Sequence, residues 1–167
     1  MTSQRGFTLI ELLITVAIVS IMMAIGLPSF QSIIASSRLT SAANAMTSAL
    51  QLARIEALKR QEFVVVAKNT TWGNGWVVFV DKDSDTTQDA DEPTLATFDA
   101  LKVITVTPTY THRIIYNASG RVNTNGNFAF CSTAAIADFR TVVIAKTGRI
   151  HIETADNSTR TYASECS

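Results

Sequence analysis

Three groups of residues in this 167-residue chain have the types and spacing to do chemistry. The first is one carboxylate, Glu11, alone in an apolar run from Phe7 to Leu27 that holds no basic residue. An ionised side chain at bilayer depth costs roughly 2.5–3.5 kcal/mol on insertion scales, so Glu11 asks for a functional reason. The second is the acidic stretch that opens with Asp81-Lys82-Asp83-Ser84-Asp85 and ends at Glu92. Counted from Asp81, the side chains of Asp81, Asp83, Asp85, Asp89 and Glu92 fall at positions 1, 3, 5, 9 and 12. That is the ligand spacing of a helix–loop–helix calcium site. Position six is Thr86, however, where such loops use glycine, and the flanking runs Trp76–Val80 and Leu95–Phe98 read as strands. A solvated hairpin loop is therefore the preferred reading, with calcium as its rival. The third group is Arg140, Lys146, Arg149, His151 and Arg160, the kind of side chains that contact phosphate. Glu153 and Asp156 follow closely and would repel it.

Acid–base or nucleophilic catalysis finds no constellation. His112 and His151 stand in no motif with a Ser, Cys or carboxylate partner, and no glycine-rich phosphate loop is present. No catalytic residue is assigned and an enzyme is not expected. Cys131 and Cys166 are the two cysteines; a disulfide, a metal site and a reactive thiol are the alternatives. The chain carries 14 basic and 14 acidic side chains, without the basic excess of a generic nucleic-acid binder.

The elements that must position these groups follow from periodicity. From Phe7 to Leu27 the run is 21 residues, about 31 Å as helix and enough to span a bilayer. After Pro28 helical character continues to about Arg60. Ala43, Met46, Leu50, Ala53 and Ala57 draw one apolar stripe, and Ser41, Asn44, Thr47, Ser48 and Gln51 lie opposite. A kink is expected near Gly26-Leu27-Pro28, because proline removes a backbone donor and crowds the preceding turn. From Phe63 onward the period changes to that of strands. About seven β-branched or aromatic runs follow, from Phe63–Ala67 to Arg149–Glu153, separated by Gly, Asn, Asp and Ser turns. The fold class expected is α+β, a long N-terminal helix packed on an antiparallel β head.

The N-terminus is not that of an ordinary signal peptide, in which small residues follow the apolar core. Here Gly6 precedes it, after a six-residue polar head with Arg5. This arrangement resembles the class III leader of type IV pilins and type II secretion pseudopilins. The resemblance rests on Gly6 at the cut, Phe7 as the new N-terminus and Glu11 fifth in the mature chain. It implies cleavage by a prepilin peptidase between Gly6 and Phe7 and N-methylation of Phe7. It also implies that Glu11 neutralises the N-terminal ammonium of a neighbouring subunit, which makes a buried carboxylate tolerable. Losing Arg5 leaves 13 basic against 14 acidic side chains in the mature chain. The organisation expected is a leader over 1–6, a transmembrane and filament-core helix over 7–28, an amphipathic half-helix over 29–61 and a β head over 62–167. In such an exported head two cysteines favour a Cys131–Cys166 disulfide, since a cysteine metal site needs more ligands at suitable spacing and the only histidines are His112 and His151.

In the head, Asn74-Gly75-Trp76-Val77-Val78-Phe79, Ile115-Tyr116-Asn117-Ala118-Ser119-Gly120-Arg121 and Thr147-Gly148-Arg149-Ile150 occur in the order of the GspH/FimT/FimU minor pilins and pseudopilins. The chain is identified as a member of that group, most like its FimU type. The resemblance implies a minor pilin that primes type IV pilus assembly and stays in the tip complex, with Glu11 and Pro28 as assembly residues. Implied partners are the major pilin, other minor pilins, a pilus-tip adhesin, the prepilin peptidase and the inner-membrane assembly platform. Implied localisation is a single pass of the inner membrane with a periplasmic head, then the pilus tip at the cell surface. Two alternatives remain: a GspH-like pseudopilin of type II secretion, and a FimT-like pilin that binds DNA for natural transformation. FimT-like DNA binders carry Gly-Arg-x-Arg; this chain has Gly148-Arg149-Ile150-His151, leaving Arg149 as the matched cation with Lys146 and Arg140 nearby. No cofactor is implied beyond the calcium alternative.

Overall fold

The computed structural model describes residues 7–109, 113–132, 138–154 and 166; within the helix the side chains of residues 25–29 are not described. The first element is a 52-residue helix, α1 (Leu9–Arg60). Thr8 caps it: its Oγ1 accepts the Glu11 N–H at 3.3 Å, and its carbonyl accepts the Leu12 N–H at 3.2 Å. Thr8-x-x-Glu11 has the spacing of a capping box. Glu11 in the first turn and Lys59 and Arg60 in the last both suit the helix dipole. Gln61 ends the helix in the left-handed region at φ 60°, its amide nitrogen donating to the Leu58 carbonyl at 2.7 Å.

The chain divides into two compact units, Met1–Ala35 and Ser36–Ser167. In the first, the large side chains Phe7, Leu9, Ile10, Leu12, Leu13, Ile14 and on to Met23 are all exposed, on every side of the helix. A helix apolar all round is covered by something in its working state. Among the described residues no helix is long and apolar enough to cross a membrane. The expected span Phe7–Leu27 ends within residues 25–29, outside the described side chains.

In the second unit α1 has one buried face. Ala43, Met46, Leu50, Ala53 and Ala57 are buried as the stripe requires, joined by Leu39, Ala42 and Ala49. Ser41, Asn44, Ser48 and Gln51 are exposed, and Thr47 is half-buried. Five of those eight buried residues are alanine, so the helix backbone lies close to the sheets it covers.

Eight strands follow: β1 (Phe63–Lys68), β2 (Trp76–Asp81), β3 (Thr94–Phe98), β4 (Ile104–Pro108), β5 (Arg113–Tyr116), β6 (Gly126–Ser132), β7 (Phe139–Ile144) and β8 (Ile150–Thr154). They form two four-stranded sheets, ordered β3-β2-β1-β5 and β4-β6-β7-β8, with every pairing antiparallel. The eighth, β3, is the Leu95–Phe98 run that reads as a strand after the acidic loop, and its partner β2 holds it in place. Phe98 lies opposite Trp76, and their rings stack with centroids 5.4 Å apart. Alternate residues of both sheets meet the helix stripe in one core: Val64 and Val66, Trp76, Val78 and Val80, Ile114 and Tyr116, Phe128 and Phe130, Val142 and Ile144. Trp72, in the 3-10 turn before β2, packs edge-on against Phe128 of the second sheet at 4.8 Å. Cys131 on β6 is joined to Cys166 by a disulfide, which ties the chain's end to the second sheet.

Candidate functional site

The assembly residues lie at the start of the chain. Phe7 is 81% exposed. Glu11 is exposed in the first turn of α1, with apolar neighbours Ile10, Leu12, Ile14 and Thr15 Oγ1 turned back onto the Leu12 carbonyl at 2.8 Å. Thr15 and Ser20 both return their hydroxyls to the helix backbone, and Glu11 is the one ionisable side chain from Phe7 to Ala24. Gly6 lies outside the described residues, and α1 continues through Pro28.

The acidic loop joins β2 to β3. Asp81, Asp83 and Asp85 come together, with one carboxylate oxygen from each within 4.8 Å of the others. Asp81 closes β2 and is only 1% exposed, and neither of its carboxylate oxygens has a hydrogen-bond donor. Burial pushes its carboxyl up from the ordinary range. The backbone N–H groups of Thr86 and Ser84 oppose this from nearby without reaching hydrogen-bond geometry, and the charges of Glu92 and Asp83 add to it. Asp83 Oδ1 accepts the Asp85 N–H at 3.2 Å, and Asp85 Oδ1 accepts the Thr87 N–H at 2.6 Å.

Glu92 and Asp89 do not join that trio. The buried Glu92 carboxylate accepts the backbone N–H groups of Lys82 at 2.7 Å and Asp89 at 3.1 Å, tying the two ends of the loop. Asp89 is pushed up by partial desolvation and then by Asp85, Asp83, Glu92 and Asp91. Lys82 turns away to Asp91, whose carbonyl accepts its ammonium at 2.7 Å. Sequence reasoning missed Arg113 at the start of β5. Its guanidinium donates to the carbonyl and hydroxyl of Thr86. The 27-residue separation of the pair left no signal in the sequence; only the pairing of β1 with β5 brings Arg113 to the loop.

The basic residues are not gathered. Lys146 and Arg149 are exposed in the β7–β8 turn. Arg140, at the other end of β7, is half-buried and ion-paired with Asp138. It also donates to the Phe139 carbonyl at 2.9 Å and to Ser36 Oγ at 3.2 Å. Six residues of extended chain put it on the order of 20 Å from Lys146. His151 Nε2 lies 3.1 Å from Glu153 Oε1. His112, Asp156 and Arg160 lie outside the described residues.

Comparison with known proteins agrees with this architecture. Residues 1–27 match the prokaryotic N-terminal methylation motif, which covers Gly6, Phe7 and Glu11. Pilin-like protein PilA1 of Thermus thermophilus is 31% identical over 92 residues, 54% of this chain and 56% of that protein. The chain spans about half the length of the curated relatives that it matches first. A crystal structure of the type IV minor pilin FimU of Pseudomonas aeruginosa PAO1 superposes with a TM-score of 0.58 at 26% identity, over 69% of this chain and 92% of that one. The minor pseudopilin EpsH of the Vibrio cholerae type 2 secretion system shares the fold, with a TM-score of 0.57 at 12% identity over 70% of this chain and 97% of that one. The family model described as type II transport protein GspH matches residues 42–148, from the buried stripe of α1 to the Gly148 turn. The chain belongs to the GspH family of minor pilins and pseudopilins.

Proposed function

We propose that this protein is a minor pilin that primes assembly of a type IV pilus and remains in its tip complex. The carrying observation is the exposed, all-round apolar start of α1 with Glu11 as its one ionisable side chain. Membership of the family implies a membrane-anchored structural subunit that assembles with other pilins, and not an enzyme. The likeness to the type IV minor pilin FimU supports the pilus reading.

The mechanism is assembly. Cleavage after Gly6 frees an ammonium on Phe7, which N-methylation leaves charged. In the inner membrane the apolar helix is solvated by lipid, with the head in the periplasm. In the filament the same surface is covered by neighbouring helices. There a carboxylate without a counter-charge is strongly unfavourable, while one facing the Phe7 ammonium of the adjacent subunit is compensated. Glu11 thereby sets the axial register: only a stagger that brings the two charges together avoids burying either alone. The β head supplies lateral contacts to other minor pilins and to a tip adhesin.

The fold shared with EpsH keeps the secretion pseudopilin reading open. A DNA-capturing role rests on two exposed cations, Lys146 and Arg149, with Arg140 held by Asp138. Co-purification of tagged full-length protein from its native host, with partners identified by mass spectrometry, separates these readings. Minor pilins and a tip adhesin are expected in the eluate. Recovery of secretion pseudopilins in their place would overturn the pilus assignment.

A further inference from the structure

We propose that the β2–β3 loop is a calcium site, with Asp81, Asp83 and Asp85 as its side-chain ligands. Three carboxylates at every second residue converge, one oxygen from each within 4.8 Å of the others. On a surface loop such a cluster alone would be unremarked, because exposed acidic groups repel one another only weakly through water. What distinguishes this one is Asp81. It is 1% exposed, it belongs to the converging trio, and neither carboxylate oxygen has a donor. Buried polar groups in folded proteins are nearly always satisfied, and a carboxylate facing two others cannot be satisfied by them. A cation at the point of convergence supplies the partner that Asp81 lacks.

The remaining geometry prepares the site for such an ion. Asp83 and Asp85 each use one oxygen to accept a backbone N–H of the loop, which fixes their carboxylates and leaves the second oxygen of each. Ser84 and Thr86 adopt positive φ, 65° and 67°, turning the chain around the trio. Glu92 closes the loop from behind through the Lys82 and Asp89 amides. Lys82 is directed to Asp91, so the trio has no ammonium of its own loop in competition with a metal.

The donor set selects the metal. All ligands are hard carboxylate oxygens, which excludes the nitrogen and sulfur sites that zinc prefers. A short flexible loop with carboxylates able to bind through one or two oxygens suits calcium, which takes 6–8 oxygens at variable geometry, over magnesium, which demands a near-ideal octahedron and keeps its water. With Glu92 committed to the backbone, the site lacks the bidentate ligand that closes a helix–loop–helix calcium loop. Its affinity belongs with extracellular modules, at a dissociation constant on the order of 10⁻⁴–10⁻³ M. The ion would fix the end of β2 to a loop that also holds Arg113 of β5, making the rim of the first sheet calcium-dependent.

Calcium titration of detergent-solubilised full-length protein, by calorimetry and thermal unfolding, tests this. One calcium per chain is expected, with a rise in the unfolding midpoint that magnesium at equal concentration does not give. Asp83→Asn/Asp85→Asn should weaken binding by at least about tenfold, and, because it removes charge that faces buried Asp81, the calcium-free midpoint should not fall. Asp91→Asn, outside the trio and 80% exposed, should bind calcium as the parent does. Absence of any calcium-dependent signal up to about 10 mM, well beyond the affinity range of such sites, would overturn the proposal. So would unchanged binding in the double variant.

Discussion

Gly148 lies so close to Gly120 that a Cβ placed on it would sit 2.1 Å from the Gly120 carbonyl oxygen. The two glycines belong to turns 28 residues apart in the chain, and α1 reaches both. Arg54 donates to the Thr147 carbonyl at 3.3 Å, and Gln61 to the Ala118 carbonyl at 3.4 Å. The turns are joined directly by the Val122 N–H on the Lys146 carbonyl at 3.2 Å. The end of the helix, the β5–β6 connection and the β7–β8 turn thus meet at one point.

Gly148→Ala should therefore destabilise the head severely. The residue has φ +76°, and the added methyl would meet backbone rather than a flexible side chain. A left-handed non-glycine residue alone costs about 1–3 kcal/mol, and the clash adds to it. Denaturant unfolding should report a loss of at least about 2 kcal/mol; a loss below experimental error would contradict the packing described.

The Cys131–Cys166 disulfide closes a 35-residue separation. In the chain-entropy model a loop of that size contributes roughly 3–4 kcal/mol. Cys131→Ser/Cys166→Ser should lower stability by that order, and reducing agent should lower the parent but not the double variant. Equal sensitivity of both to reductant would show that the effect does not come from this bond.

Near the end of α1, Arg60 holds the Glu56 carboxyl below its usual range by a hydrogen bond at 2.6 Å, and Lys59 adds to the effect from 3.4 Å. A lowered folded-state value means that the unfolded chain binds the proton more readily. The stabilisation is present above the ordinary carboxylate range and disappears as pH falls through the lowered value. Both cations are substantially exposed, so the effect is small. Glu56→Gln should melt slightly below the parent at neutral pH and converge with it in acid. A gap that persists in acid would point to packing instead of charge.

Periodicity exposed the helix and its stripe because small apolar residues recur at the spacing of one helical face, and that pattern survives any tertiary context. The strands were legible where β-branched runs are long, as at Phe63–Ala67. The split into two sheets was not, since which strand pairs with which depends on contacts far apart in sequence. The acidic loop shows the same division. Asp81, Asp83 and Asp85 meet because neighbours in sequence are neighbours in space. Spacing makes Glu92 the last ligand of the calcium alternative, yet a backbone amide at each end of the loop claims its oxygens. Arg140 looked available for phosphate; its neighbour Asp138 and the distant Ser36 occupy it.

The central claim is that the Glu11 charge recruits the subunit into a filament. Its most direct test is the abundance of Glu11→Gln protein in sheared surface filaments, measured against its membrane pool by quantitative mass spectrometry. The Thr8 cap uses the backbone N–H of residue 11, which glutamine keeps, so the variant removes the charge and spares the helix start. The account predicts normal leader cleavage, a normal membrane pool and strong depletion from the filament fraction. Incorporation at parental abundance would contradict it.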